Sequence, residues 1–220
     1  SDGDTYIRVV VLSRNIAFDR CFDIAASLTG EVGGRVCEAN RPLSDLLRFV
    51  SGFADGDPVK RKLIRSVADD VLKVREFAPM ECFDSVEFLP VGIPGYKKIA
   101  EPELSGARSL VLVSPFLSDG VVKALTVSAK QTALITRKSS ITPTALSSFQ
   151  DVFVTKELVL DNELLEEGES EETPQRDIHA KIFFEERDDG KYLYLGSLNA
   201  SANAFYHNVE FMLKLRYRPY

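Results

Sequence analysis

The chain has 220 residues, of which 45% are hydrophobic and 27% charged, with a formal net charge of −6. This is the composition of an ordinary globular protein, and no apolar run reaches the ~18 residues that a membrane-spanning helix needs. Its three cysteines, Cys21, Cys37 and Cys82, form no C-x-x-C pair. That pattern argues against a disulfide framework or a zinc site and for a reducing, cytoplasmic setting.

The polar start, Ser1-Asp2-Gly3-Asp4, has neither the basic end nor the apolar stretch of a signal peptide. It lacks Met and runs almost at once into an apolar stretch, so the expectation is a chain that begins inside a larger gene product. Residues 6–13 (YIRVVVLS) are β-branched and apolar and read as a strand buried on both faces. Residues 21–29 read as a second strand closed by Gly30. Helical spacing follows over 43–53 and, most clearly, over 59–77, with Leu63, Val67, Val71 and Val74 on one face.

A short strand is predicted at 86–89, before a loop marked by Pro90, Gly92, Pro94 and Gly95. Residues 109–113 (SLVLV) read as a buried strand leading into Ser114-Pro115-Phe116. Ser118 or Asp119 is placed to cap a helix over 121–129. A strand over 132–136, a short helix over 144–149 and a strand over 152–155 come next. Residues 161–172 then hold seven acids and no base, the mark of a solvated loop. Without them the rest of the chain carries +1, so the acidic total does not exclude a nucleic-acid partner. Strands at 178–186, 191–197 and 208–216 complete a pattern of alternating strands and helices, which predicts an α/β or mixed α+β fold.

The two ends of the chain resemble each other. Asp2-Gly3-Asp4-Thr5-Tyr6 leads into a strand ending Ser13-Arg14-Asn15, followed by Phe18 and by Phe22-Asp23-Ile24-Ala25. Asp189-Gly190-Lys191-Tyr192 leads into a strand ending Ser197-Leu198-Asn199, followed by Phe205 and by Val209-Glu210-Phe211-Met212. Each reads as turn, apolar strand, Ser-x-Asn, loop, and a strand carrying an acid. The second copy follows a stretch that bears His179 and Lys181; the first has no such stretch before it in this sequence.

On a strand, residues i and i+2 share a face, so His179 and Lys181 are expected to project together. With Ser197 and Asn199 alongside, such a site combines a nucleophile or proton shuttle, a fixed positive charge and neutral donors for phosphate oxygens. Glu210 on the next strand is suited to hold the second imidazole nitrogen, as the acid does in a triad. No metal-ligand cluster stands out and no cofactor is expected. Cations and amides aimed at developing phosphoryl charge do the work of a metal in such a site.

His179-Ala180-Lys181 and Gly196-Ser197-Leu198-Asn199 resemble the phospholipase D superfamily, whose motif is His-x-Lys, an acid, then Gly-Ser-x-Asn. Glu186 stands where that family usually has Asp, and the spacing to Gly196 is longer than usual. The resemblance covers the C-terminal half well and the first thirty or so residues partly; residues 41–78 match no pattern of the family. It implies two related β-α repeats around a pseudo-twofold site. Residues 1–84 would hold the end of a first, incomplete repeat plus a helical segment, and residues 85–220 a full second repeat.

The resemblance also implies a mechanism, in which one histidine attacks phosphorus to form a phosphohistidine and a second protonates the leaving oxygen. His179 would take one of these roles. Lys181, Ser197 and Asn199 would bind phosphate with it, and Glu210 would support His179. Ser13, Asn15, Asp23 and Ser114 would contact phosphate or substrate. The second His-x-Lys would come from an upstream segment or a second chain, and without it this chain would be inactive alone.

The expected function is therefore a metal-independent, nuclease-like phosphodiesterase. The alternatives are a phospholipase or phosphatidyltransferase, and a non-catalytic module that binds nucleic acid or phosphate with an incomplete site. His207 has no Lys two residues on and reads as a surface residue. Lys60, Arg61, Lys62 and Arg65 read as a solvated helix face, and Arg137-Lys138 as a possible substrate contact past a strand end.

Overall fold

A mixed sheet of seven strands organises the molecule, with helices packed on both faces and a separate two-stranded hairpin on one of them. The computed structural model describes residues 4–13, 22–155 and 178–219. The hairpin is built from β1 (Tyr6–Leu12) and β2 (Ala25–Glu31), which pair antiparallel. Next come α1 (Arg41–Ser51) and α2 (Pro58–Leu72), then β3 (Phe83–Val91), α3 (Ala100–Leu104), β4 (Ser109–Val113) and α4 (Asp119–Thr126). The chain continues with β5 (Gln131–Thr136), α5 (Pro143–Ser148), β6 (Asp151–Val154), β7 (Ile182–Arg187), β8 (Gly190–Gly196), α6 (Ala202–Tyr206) and β9 (Glu210–Tyr217).

The strands of the large sheet run in the order β3-β9-β8-β7-β4-β5-β6. β4, β5 and β6 are parallel to one another, and every other neighbouring pair is antiparallel. Successive strand residues face opposite ways, and the two faces build two cores. Leu110, Leu112, Leu134, Phe183 and Tyr194 pack under Val121, Val122 and Leu125 of α4 and Phe205 of α6. Leu195, Leu213 and Leu215, one residue out of phase, pack against Val11, Ala26 and Leu28 of the hairpin and Val71 and Val74 after it. The mixed α/β class expected from the alternation of elements is what the chain adopts.

Several local expectations change. β1 is buried on one face only: Ile7, Val9 and Val11 turn toward the core, whereas Tyr6 and Val10 are 59% and 53% exposed. A continuous apolar run fits a strand covered on both sides, but nothing among the described residues covers this second face. β2 begins four residues later than predicted. The helix predicted over 59–77 ends at Leu72, and only Val71 and Val74 of its apolar stripe reach the core; Leu63 stays 63% exposed.

β3 is longer than predicted and runs through Pro90, which is tolerated because β3 is an edge strand and Pro90 needs no donor on its open side. Ser118 holds the N-cap position of α4, and its carbonyl accepts from the Val122 amide, but neither Ser118 nor Asp119 caps the helix through its side chain. The Ser118 hydroxyl accepts from the Ala202 amide, and the Asp119 carboxylate accepts from Thr142. α5 is capped instead by Thr142, whose hydroxyl accepts from the Ala145 amide. The short helices α3 and α6 went unpredicted. The acidic stretch 161–172 lies outside the described residues, as does Asn15.

Candidate active site

The strand directions bring the candidate residues to one end of the sheet. The C-terminal ends of β4, β5 and β8 and the N-terminal ends of β7 and β9 share that end, where parallel and antiparallel pairing meet at β4. Crevices outside strand ends at such a change of direction are where α/β sheets bind ligands.

His179 and Lys181 lie just before β7 rather than within it, so no strand pleat places them on one face. The segment is anchored instead by the first hairpin. Phe22 pairs with Ile178 in a single parallel bridge, and the Phe22 carbonyl accepts from both the His179 and Ala180 amides at 3.0 Å. Lys181 is only 6% exposed, and its ammonium donates to the His179 carbonyl at 2.6 Å. That contact ties the lysine back onto the histidine's own backbone. Arg137, the first residue after β5, donates to the Ile178 carbonyl at 3.2 Å and lies 3.1 Å from His179 Nε2. Its guanidinium also sits over the Phe116 ring, 4.7 Å from the centroid.

At the same end of the sheet, Gly196-Ser197-Leu198-Asn199 leaves β8. Gly196 is required by space: a Cβ there would lie 2.1 Å from the Phe211 carbonyl oxygen and 2.9 Å from the Met212 Cα. The Ser197 hydroxyl donates to the Glu210 carboxylate and accepts from the Phe211 amide at 3.0 Å, while the Ser197 amide donates to the Phe211 carbonyl at 3.0 Å. Asn208 donates to the other Glu210 oxygen at 3.1 Å. The Asn199 side-chain oxygen is buried with no hydrogen-bond partner among the described residues.

Ser13 repeats this arrangement. Its amide donates to the Ile24 carbonyl at 3.0 Å, its hydroxyl accepts from the Ile24 amide at 3.0 Å, and the same hydroxyl donates to the Asp23 carboxylate at 3.4 Å. Each serine thus binds an acid and the residue that follows it. The backbone at His179 lies against the segment that carries Asp23, through the Phe22 carbonyl. Ser114 is fully buried, and its hydroxyl donates to the Phe116 carbonyl at 2.8 Å and accepts from the Ala200 amide at 3.0 Å. These bonds tie the end of β4 to the Gly-Ser-x-Asn turn and leave that hydroxyl no room for a phosphate. Glu186 sits near the far end of β7, opposite Ser109, away from His179. His207 ends α6.

At that far end the sheet buries a second polar group. Glu185 is fully buried; Arg187 donates to it at 2.7 Å, and the Tyr194 hydroxyl and Lys214 reach Glu103 at 3.0 and 2.9 Å. Burial pushes the Glu185 carboxyl up to about 7, against the pull of Arg187, and burial with the neighbouring carboxylates drives the Tyr194 hydroxyl well above its ordinary value. Among the described residues no group of His, Cys, Asp and Glu is arranged to hold a metal ion, and no helix is long and apolar enough to cross a membrane.

No family model and no curated protein matches the sequence. Among solved structures, the chain is similar to NucT from Helicobacter pylori, at 18% identity over 60% of this chain and 84% of that one, with a TM-score of 0.39. It is also similar to Nuc from Salmonella typhimurium, a phospholipase D family member, at 12% identity over 61% and 84% of the two chains, TM-score 0.39. A mutant of yeast tyrosyl-DNA phosphodiesterase 1 matches at 11% identity over 59% of this chain and 31% of its own, TM-score 0.43.

Sequence reasoning missed the contact between Arg137 and His179 and the seating of His179 on the Asp23 turn. Arg137 was legible only as a basic residue past a strand end. The second relationship crosses from one end of the chain to the other and leaves no local signal.

Proposed function

We propose that this chain carries half of a metal-independent phosphodiesterase site of the phospholipase D type, acting on nucleic acid. The observation that carries the reading is the duplicated serine–acid turn, Ser13 with Asp23 and Ser197 with Glu210, one copy of which holds His179. On this reading Asp23 orients the His179 imidazole, and the Glu210 turn is the equivalent seat for a second imidazole from an upstream segment or a second chain. His179 Nε2 attacks phosphorus as the bond from phosphorus to the leaving oxygen breaks, and the second imidazole gives that oxygen its proton. Water then displaces the phosphoryl group from His179. Lys181 and Asn199 bind the nonbridging oxygens through the developing charge. The half-exposed Phe116 ring at the crevice suits a nucleobase better than a lipid chain, because every base offers a face to stack.

The test is cleavage of a labelled single-stranded oligonucleotide in EDTA by the full-length protein and by its His179→Ala variant. The reading expects metal-independent cleavage that the substitution abolishes. Equal activity in the variant, or loss of activity in EDTA, would overturn it. A second reading, a module that binds phosphodiesters without cutting them, draws on His207: the chain's other histidine ends α6 rather than occupying a His-x-Lys. It expects oligonucleotide binding with no cleavage under any condition.

A further inference from the structure

We propose that Arg137 is a phosphate clamp that rests on the reactive nitrogen of His179 until substrate draws it away. The inference rests on the phosphodiester reading above and names a residue that the repeated motif does not contain. A guanidinium has donors and no acceptor. Its 3.1 Å contact with His179 Nε2 therefore requires the Nε2 lone pair, with the imidazole neutral and its proton on Nδ1. Nε2 is the nitrogen that must reach phosphorus, so the substrate-free site holds its nucleophile in the correct tautomer and covered.

A phosphodiester changes the balance. Hydrogen bonds from a guanidinium to an anionic oxygen are roughly twice as strong as those to a neutral acceptor, and the fork of an arginine matches two phosphate oxygens. An incoming phosphate therefore takes the Arg137 donors from Nε2 and exposes the lone pair where the phosphorus arrives. The Phe116 ring beneath the guanidinium and the Ile178 carbonyl beside it are among the contacts that hold it in place during the exchange. Lysine would not serve as well, because a point charge lacks the planar fork and stacks poorly on a ring.

The experiment is nitrogen NMR of the full chain labelled at histidine, which holds only His179 and His207, with His207→Gln used for assignment. Inorganic phosphate is titrated into the parent, Arg137→Met, Arg137→Lys and Arg137→Ala. In the parent without phosphate, His179 is expected as the neutral tautomer with its proton on Nδ1, and phosphate shifts the Nε2 resonance. In Arg137→Met that resonance is already displaced, and phosphate binds about tenfold or more weakly, the loss of a charge-assisted bond. Arg137→Lys falls between the two, and methylguanidinium added to Arg137→Ala restores phosphate affinity, which a purely structural role would not allow. Unchanged His179 resonances and unchanged phosphate affinity in Arg137→Met would overturn the clamp and leave the phosphodiester reading standing. A parent whose His179 does not respond to phosphate at all would overturn both.

Discussion

Ser13 and Ser197, near opposite ends of the chain, make the same three hydrogen bonds. Each bonds the residue after an acid through its amide and hydroxyl, and each donates its hydroxyl proton to that acid. The differences are of degree: Ser13 reaches the exposed Asp23 at 3.4 Å, whereas Ser197 holds Glu210 closely. Replacing either serine by alanine strands a backbone amide without its acceptor. Ser197→Ala should cost about 1–3 kcal/mol and Ser13→Ala less, because its carboxylate contact is long and solvated. Urea denaturation measures both, and a larger loss at Ser13 would contradict the comparison.

Gly196 tests how tightly the Gly-Ser-x-Asn turn is pressed onto β9. Gly196→Ala would drive a methyl group into the Phe211 carbonyl and the Met212 backbone, neither of which can rotate away. A loss of about 3 kcal/mol is expected, the upper part of the range for overpacking. An alanine variant as stable as the parent would mean that β8 and β9 separate at this point.

Lys181 and Asn199 should differ in what their loss does to stability. Lys181 is buried and holds the His179 carbonyl, so Lys181→Met should lower both stability and phosphate affinity. The Asn199 side-chain oxygen has no hydrogen bond to lose among the described residues, so Asn199→Ala should change stability by less than about 0.5 kcal/mol. Its phosphate affinity should nevertheless fall. Calorimetric titration with phosphate beside thermal unfolding separates the two effects, and unchanged affinity in Asn199→Ala would remove that amide from the site.

Glu185 should make the fold less stable as pH rises. Burial raises its carboxyl to about 7 from an ordinary 4.5, so between those values the folded state binds a proton that the unfolded state has lost. The contribution is complete below about 4.5 and disappears as pH rises through about 7. A shift of this size corresponds to roughly 3 kcal/mol. Urea midpoints measured from pH 4.5 to 8 should decline more steeply in the parent than in Glu185→Gln, which carries no titrating proton. Parallel profiles would place the Glu185 carboxyl near its ordinary value.

The sequence by itself determined the class of the fold and most of its strands, because alternation and β-branched runs register locally. It also determined the chemistry-bearing set, His179, Lys181, Ser197 and Asn199, and the likeness between residues 6–25 and 192–212, since residue types at fixed spacing survive in one dimension. Burial was less legible. The run at β1 reads as covered on both faces, and the stripe through Leu63 and Val67 reads as core, because periodicity reports which residues share a face but not what packs against it. Only the tertiary structure decided that His179 rests on the Asp23 turn, that Ser114 is tied to the backbone around it, and that Arg137 meets Nε2. Each of these joins residues far apart in the chain, brought together by the meeting of strand ends at one edge of the sheet, and no local pattern records where those ends will meet.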